Sequence, residues 1–376
     1  MKMKYFTMIL ILFLLSCSKD RTEQAVPATG EMTKIAFTLA DGSQADTKAV
    51  VGDVTNPLST ANISTYIKHV RLLVFNTSDK MLIHEDSWAT TSGSYETSFP
   101  AVNGTSYDFV VITNTDVAGS FTSSLVKGLS NESTVVTMLK EIMAPQAAAG
   151  NGDTGNRYQL YTRASNPADT NHIFYGIKAQ SITAGTQNTV QVGIKRVIAM
   201  VNFEVDIQNP SFQPSTPTSS PFLSEMTLDV SRMARSLNMK MEQQMQSASG
   251  KTDCVVRSGA FTRSGSTGYK YKSTAFVFGN GKKAFLTLNL KTQTVSGLLA
   301  ADQSRLFWMD ITTTTIDRNK KYNITAVIPA GNFGGDPSQP STVNPEDPDP
   351  KMCNLTVNVS ASDWDVPSIS GGGTMH

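Results

Sequence analysis

The sequence predicts an all-β fold built as two sandwich domains. Three observations carry this expectation. Apolar residues alternate with polar ones at period two through many short runs, as in half-buried strands, and long helical patterns are scarce. Turn signals built from Asn, Asp, Gly and Pro separate the runs. The chain of 376 residues is also too long for one small sandwich and suits about two domains. A net charge of +1 gives no reason to expect nucleic acid or an acidic membrane surface as a partner.

The N-terminus reads as an export signal. Lys2 and Lys4 precede an apolar stretch from Tyr5 to Leu15 that is too short to span a bilayer. Leu14-Leu15-Ser16-Cys17 follows directly, a small residue before a cysteine. This resembles the lipobox of bacterial lipoproteins, which implies cleavage after residue 16, acylation of Cys17 and a Gram-negative envelope location. Cys254 and Cys353 are free to pair in an exported chain, yet two distant cysteines make no disulfide framework. A buried small residue and an incidental thiol fit equally well.

Polar residues 18–31 form a tether, and the first strand follows, with Ile35, Phe37 and Leu39 on one face. It ends at Asp41-Gly42, and a polar loop containing Lys48-Ala49 runs on to Ala61. Val70–Phe75 is a strand, Asn76–Asp79 a turn and Met81–His84 the return. Tyr107–Ile112 is almost continuously apolar, which predicts a central strand covered on both faces. Val135, Leu139, Ile142 and Met143 recur at helical spacing behind Ser133, which predicts one short helix in the first domain. Phe174-Tyr175 and Thr189–Ile194 return to strands.

The longest strand-like run, Arg196–Val205, places a domain boundary near residue 194. Strands at 226–230, 273–278, 284–290, 306–311 and 322–328 then repeat the style of the first half without a fixed repeat. From Gly331 to Pro350 the chain holds five prolines and little that is apolar. Beyond it stands an isolated strand, with Leu355, Val357, Val359 and Ala361 on one face. A lone strand is unstable in water, so it has to pair far away in its own chain or with another molecule. The alternation breaks at Asp363-Trp364.

Chemistry-bearing constellations are few. The four histidines, His69, His84, His172 and His376, form no metal or nucleophile motif, and His69 and His84 read as surface residues at strand ends. No phosphate loop is present, and Asn151–Asn156 has one carboxylate, too little for calcium. Neither an enzyme nor a cofactor is expected.

The lipobox, Val70–Phe75, Tyr107–Ile112 running into Thr113-Asn114, Arg196–Val201, Arg318–Thr325, Gly331–Pro337 and the closing Asp363-Trp364 together resemble the fimbrillins. These are lipoprotein-derived subunits of the type V pili of Gram-negative anaerobes. The resemblance implies two transthyretin-like β-sandwich domains, to which the residue patterns add a short helix in the first and a tethered C-terminal strand. It further implies a cut by an Arg- or Lys-specific protease that removes the first strand, and polymerisation by donor-strand exchange, supporting adhesion and biofilm formation.

Lys48 is the single Lys or Arg between Leu39 and Lys68, so Lys48–Ala49 is the expected cut. Ile35, Phe37 and Leu39 are then the displaced strand, and Leu355, Val357 and Val359, with the same spacing, the donor strand. The organisation expected is a signal segment 1–16, a lipidated propeptide 17–48, sandwiches 49–194 and 195–335, and a linker with donor strand 336–376. Expected partners are copies of the chain and other fimbrial subunits, the processing protease, the outer membrane through the lipid before cleavage, and a host glycan or protein. Two alternatives stand beside a shaft subunit at the cell surface. One is a tip or anchor subunit. The other is a glycan-binding surface lipoprotein using Trp88, Trp308 or exposed tyrosines, against which core packing of those rings is the simpler reading.

Overall fold

The computed structural model describes residues 30–41, 67–89, 94–114, 143–146, 157–160, 173–218, 220–234, 253–278, 284–291, 304–311, 315–334, 355 and 357–363. Cys17, Lys48, Ala49, Cys353, the linker from 335 and the tail from Trp364 lie outside these residues.

The first sandwich is a seven-stranded arrangement in the order β3-β2-β5-β8-β9-β1-β4. Its strands are β1 (Glu31–Asp41), β2 (Val70–Asn76), β3 (Leu82–Trp88), β4 (Ser94–Ala101), β5 (Ser106–Thr113), β8 (Phe174–Ser181) and β9 (Gln187–Arg196). β8 and β9 pair only at Phe174–Arg196 and Tyr175–Lys195, then separate into two layers. A Cβ on Gly176 would lie 2.2 Å from the Gly193 carbonyl oxygen, so the close approach of β8 and β9 at this point needs glycine. The facing sides of β1, β4 and β9 and of β2 and β5 meet in one apolar cluster that includes Phe37, Phe99, Val190, Leu72 and Phe109.

The expected turn after β2 is present. The Asn76 side chain accepts from the Ser78 N–H at 2.9 Å, and the Asp79 side chain accepts from the Met81 N–H at 2.9 Å. β5 is covered on both faces, as its apolar run predicts. Tyr107, Phe109 and Val111 point into the first core, while Val110 and Ile112 join the core shared with the second sandwich. Its one buried carboxylate, Asp108, is paired with Lys80 Nζ at 2.6 Å.

The second sandwich opposes two sheets. One runs β13-β14-β10-β17-β18, the other β16-β15-β11-β12-β7-β6. The first comprises β13 (Thr262–Arg263), β14 (Lys270–Val277), β10 (Ala199–Ile207), β17 (Lys320–Ile328) and β18 (Val357–Asp363). The second comprises β16 (Ser304–Asp310), β15 (Phe285–Lys291), β11 (Thr227–Ala234), β12 (Asp253–Arg257), β7 (Arg157–Leu160) and β6 (Met143–Gln146). The β6–β7 hairpin comes from between β5 and β8 in sequence, yet β7 lies parallel to β12 and extends the later sheet.

Met143 was expected to close a helix; it stands in β6 instead, paired with Leu160. Cross-strand pairing overrides the helical spacing there, and residues 133–142 lie outside the described part. Among the described residues, the helical pieces are α1 (Ser220–Glu225) and a 3-10 turn at Pro210–Phe212, both in the link from β10 to β11.

The two sandwiches repeat one wiring. β1 lies between β9, which is parallel, and β4, which is antiparallel. β10 likewise lies between parallel β17 and antiparallel β14. In the opposite sheets, β2 pairs with β3 and β5, and β11 with β12 and β15. Strand β10 is therefore the counterpart of β1.

The first and last strands as a candidate assembly interface

β1 is held along both edges. Glu31–Thr38 pairs with β4 and Lys34–Asp41 with β9. The three residues singled out from the sequence, Ile35, Phe37 and Leu39, are fully buried. Phe37 is the most engaged of them. Its ring stacks on Tyr95 at 5.0 Å and meets the edge of Trp88 at 5.2 Å, and Trp88 and Tyr95 lie 5.2 Å apart. The outward Met32 is 62% exposed, so the strand has one apolar face for the core and one side for solvent.

At the start of β1, Gly30 comes so close to Ala101 that a Cβ would lie 2.7 Å from its carbonyl oxygen. The Thr33 hydroxyl accepts from the Gly185 N–H at 3.0 Å, tying β1 to the turn before β9.

Among the described residues, β4 ends its layer, and β1 is its one strand neighbour in the sheet. A side-chain clasp ties it across to β3. Thr97 Oγ1 donates to Asp86 Oδ2 at 2.6 Å, and His84 Nε2 lies 2.7 Å from Thr97 Oγ1. A hydroxyl has one proton, and here it goes to Asp86, so His84 Nε2 is the protonated nitrogen and donates to Thr97. The His84 ring also stacks on Phe99 at 5.6 Å.

The expectation of a surface histidine is corrected here: the His84 side chain is 13% exposed and wedged between layers. The alternation His84, Asp86, Trp88 places these three on one face of β3, and the register shift before His84 turns Leu82 to the other core. The approach of β4, with Phe37 of β1, gives that face its partners.

Among the described residues, β18 is held along one edge only. Its pairs with β17 run from Asp363 opposite Lys320 to Val357 opposite Ala326. Leu355 is buried, Val357 and Val359 are half-buried against the second core, and Ala361 is exposed. Beneath β18, the Tyr322 hydroxyl accepts from the Asp317 N–H at 2.7 Å, and burial pushes its pKa up to about 12. Burial likewise raises Tyr271, on β14, to about 12. Trp308 is buried in β16, and Trp88 is committed to the rings around Phe37, so neither offers an open stacking face.

With this geometry in view, comparison with known proteins decides the family. The family model described as fimbrillin-A associated anchor proteins Mfa1 and Mfa2 matches residues 52–370. The chain belongs to this fimbrial family. Its work is thereby placed with the fimbrium, in pilus-associated adhesion. A search among curated proteins finds no match.

Among solved structures, a cell-adhesion protein from Bacteroides eggerthii is similar to this fimbrial chain with a TM-score of 0.55 at 15% identity. The match covers 90% of this chain and 97% of that one. The fimbrillin of Porphyromonas gingivalis matches with a TM-score of 0.49 at 12% identity, covering 90% and 99%. The fimbrial anchor protein Mfa2 of the same organism matches at 0.44 and 9%, covering 79% and 90%. The first of these supports the shared β-sandwich fold.

Proposed function

We propose that this protein is a non-enzymatic pilus subunit in which β1 is a removable strand and its slot an acceptor for a strand from another subunit. The observation that carries the proposal is the closed seat of β1, paired on both edges with Ile35, Phe37 and Leu39 buried. Burying three such side chains is worth about 5–9 kcal/mol, at roughly 1.5–3 kcal/mol each. Losing the strand would expose the edges of β4 and β9 at once, a strong drive to accept a replacement.

On this reading the chain is exported as a lipoprotein acylated at Cys17 and held at the outer membrane until a protease cuts at Lys48–Ala49. The units 49–194 and 195–335 then carry the two sandwiches, the first unit lending its β6–β7 hairpin to the second, and the segment with Leu355, Val357 and Val359 is the donor for the next subunit.

Cutting the purified precursor with a lysine-specific protease tests this. The cut chain is expected to release its N-terminal fragment in exchange for a donor strand supplied in trans, giving a complex resistant to mild denaturant. An N-terminal fragment that stays bound after complete cleavage at Lys48, whatever donor strand is supplied, would overturn the proposal.

A terminal position in the pilus is the second reading, and one observation favours it. β18 is seated on β17 of its own chain, with Leu355, Val357 and Val359 turned to its own core. A last strand that stays there donates to no one, which suits a subunit at the end of a polymer, and the matched family is described by anchor proteins. Deleting residues 351–376 separates the readings: a shaft subunit no longer passes a strand to the next subunit, whereas an anchor, which donates to no one, assembles unchanged.

A further inference from the structure

The shape of the β1 slot says which strand it takes. The slot has three apolar positions, filled by Ile35, Phe37 and Leu39, and the middle one is ringed by Tyr95 and Trp88. Tyr95 lies directly opposite Phe37 on β4 and Val190 directly opposite on β9, so the middle pocket is built for a flat ring between two neighbours. A smaller side chain there would leave the Tyr95 and Trp88 rings facing a void, and packed interiors tolerate such voids poorly.

The second sandwich supplies an independent instance. Aligning the parallel pairing of β1 with β9 to that of β10 with β17 sets Lys34–Asp41 on Met200–Ile207. Phe37 then falls on Phe203, flanked by Val201 and Val205 where β1 has Ile35 and Leu39. Phe203 is buried and meets the Phe261 ring at 6.4 Å, edge to face. The same wiring thus uses a central phenylalanine twice, once in a strand that never leaves.

The chain's own last strand does not match this requirement. Its apolar face is Leu355, Val357, Val359 and Ala361, extended backwards by Cys353, and no register of that face puts an aromatic in the middle. Trp364 falls on the other parity.

We infer that the β1 slot accepts a donor of different sequence from β18: an extended segment with an aromatic side chain at the middle of three alternating apolar positions, carried by a different subunit. This rests on the strand-replacement reading and specifies its partner. The chain is therefore a poor donor to its own copies, so its neighbour on the acceptor side is a heterologous subunit.

The test uses the full chain cleaved once between Asp41 and Ile67, with the released fragment left bound. Synthetic peptides compete for the slot, and displacement is read by native mass spectrometry. The probes are the β1 sequence 31–41, the same peptide with Phe37→Val, the sequence 355–363, and that peptide with Val357→Phe.

The β1 peptide is expected to exchange in, and Phe37→Val to weaken it by about ten- to a hundredfold. The 355–363 peptide should compete weakly, and Val357→Phe should improve it by a similar factor. Equal competition by the 355–363 peptide and its phenylalanine variant would overturn the inference and leave strand replacement standing. Failure of even the β1 peptide to exchange would overturn strand replacement, and the inference with it.

Discussion

β1 seals every alternate side chain from Ile35 to Leu39 between two strand neighbours, whereas β18, among the described residues, leans on β17 alone and leaves Ala361 in solvent. As sequences the two are close, each a short run of aliphatic residues at period two. The difference lies in what each closes. β1 completes a layer and fills a pocket of rings, and β18 extends a layer that is already closed around β10. Apolar periodicity therefore says that a strand has an inside face, and the number of its neighbours decides what that face is worth.

The sharpest way to break this comparison is to delete each strand in turn. Removal of residues 30–41 should unfold the first sandwich, seen as lost amide protection across β4 and β9. Removal of residues 351–376 should leave a folded monomer with protection lost in β17 alone. If both deletions unfold their sandwiches alike, the asymmetry is wrong.

Single substitutions sharpen it. Phe37→Ala should cost about 3–5 kcal/mol in chemical denaturation, as for a fully buried aromatic. Val359→Ala, in a half-buried edge position, should cost no more than about 1 kcal/mol. Similar losses at the two positions would mean that β18 is as much a core strand as β1.

A smaller effect is expected at the β4 wall. Thr97→Val strips the clasp of its hydroxyl and leaves His84 Nε2 without that acceptor, a loss of about 1–2 kcal/mol. Denaturation of His84→Ala and of the double variant closes a mutant cycle, and additive losses would show that the two residues act separately.

The mildest probe is alkaline pH, and it acts on the β18 side. Tyr322 and Tyr271 both titrate at about 12 in the folded protein, against an ordinary value of 10.0. A raised folded pKa favours the protonated, folded form, so the stabilisation is complete below pH 10 and is lost progressively as pH rises from 10 to 12. The second sandwich, which holds both residues, should weaken over that window in step with tyrosinate absorbance. Stability that stays flat from pH 10 to 12 would show that burial of these hydroxyls is not coupled to folding.

Much of the fold was legible because its signals are local. The alternation of Ile35, Phe37 and Leu39, the Asn76–Asp79 turn and the unbroken run Tyr107–Ile112 each reflect a neighbour or face fixed within a few residues. The misreadings were of another kind. Met143 follows helical spacing, but its strand partner Leu160 belongs to a hairpin added to a distant sheet. His84 lies at a position where surface is the default, but its partner Thr97 comes from the strand that closes the other layer. The pairing of the two sandwiches was invisible for the same reason: β1 and β10 share a wiring diagram and a central phenylalanine but little else in sequence.

The sequence by itself determined an all-β chain with apolar strands at both ends and, through its ordered blocks, the fimbrial family. Tertiary structure alone decided that the first strand is a filled slot with an aromatic centre, and that the last is an edge strand on its own sheet. The physical reason is range. Side-chain alternation is set by the backbone every two residues, while β1 gains its value from β9, about 150 residues away in the chain, and no local pattern encodes which strands will lie on either side.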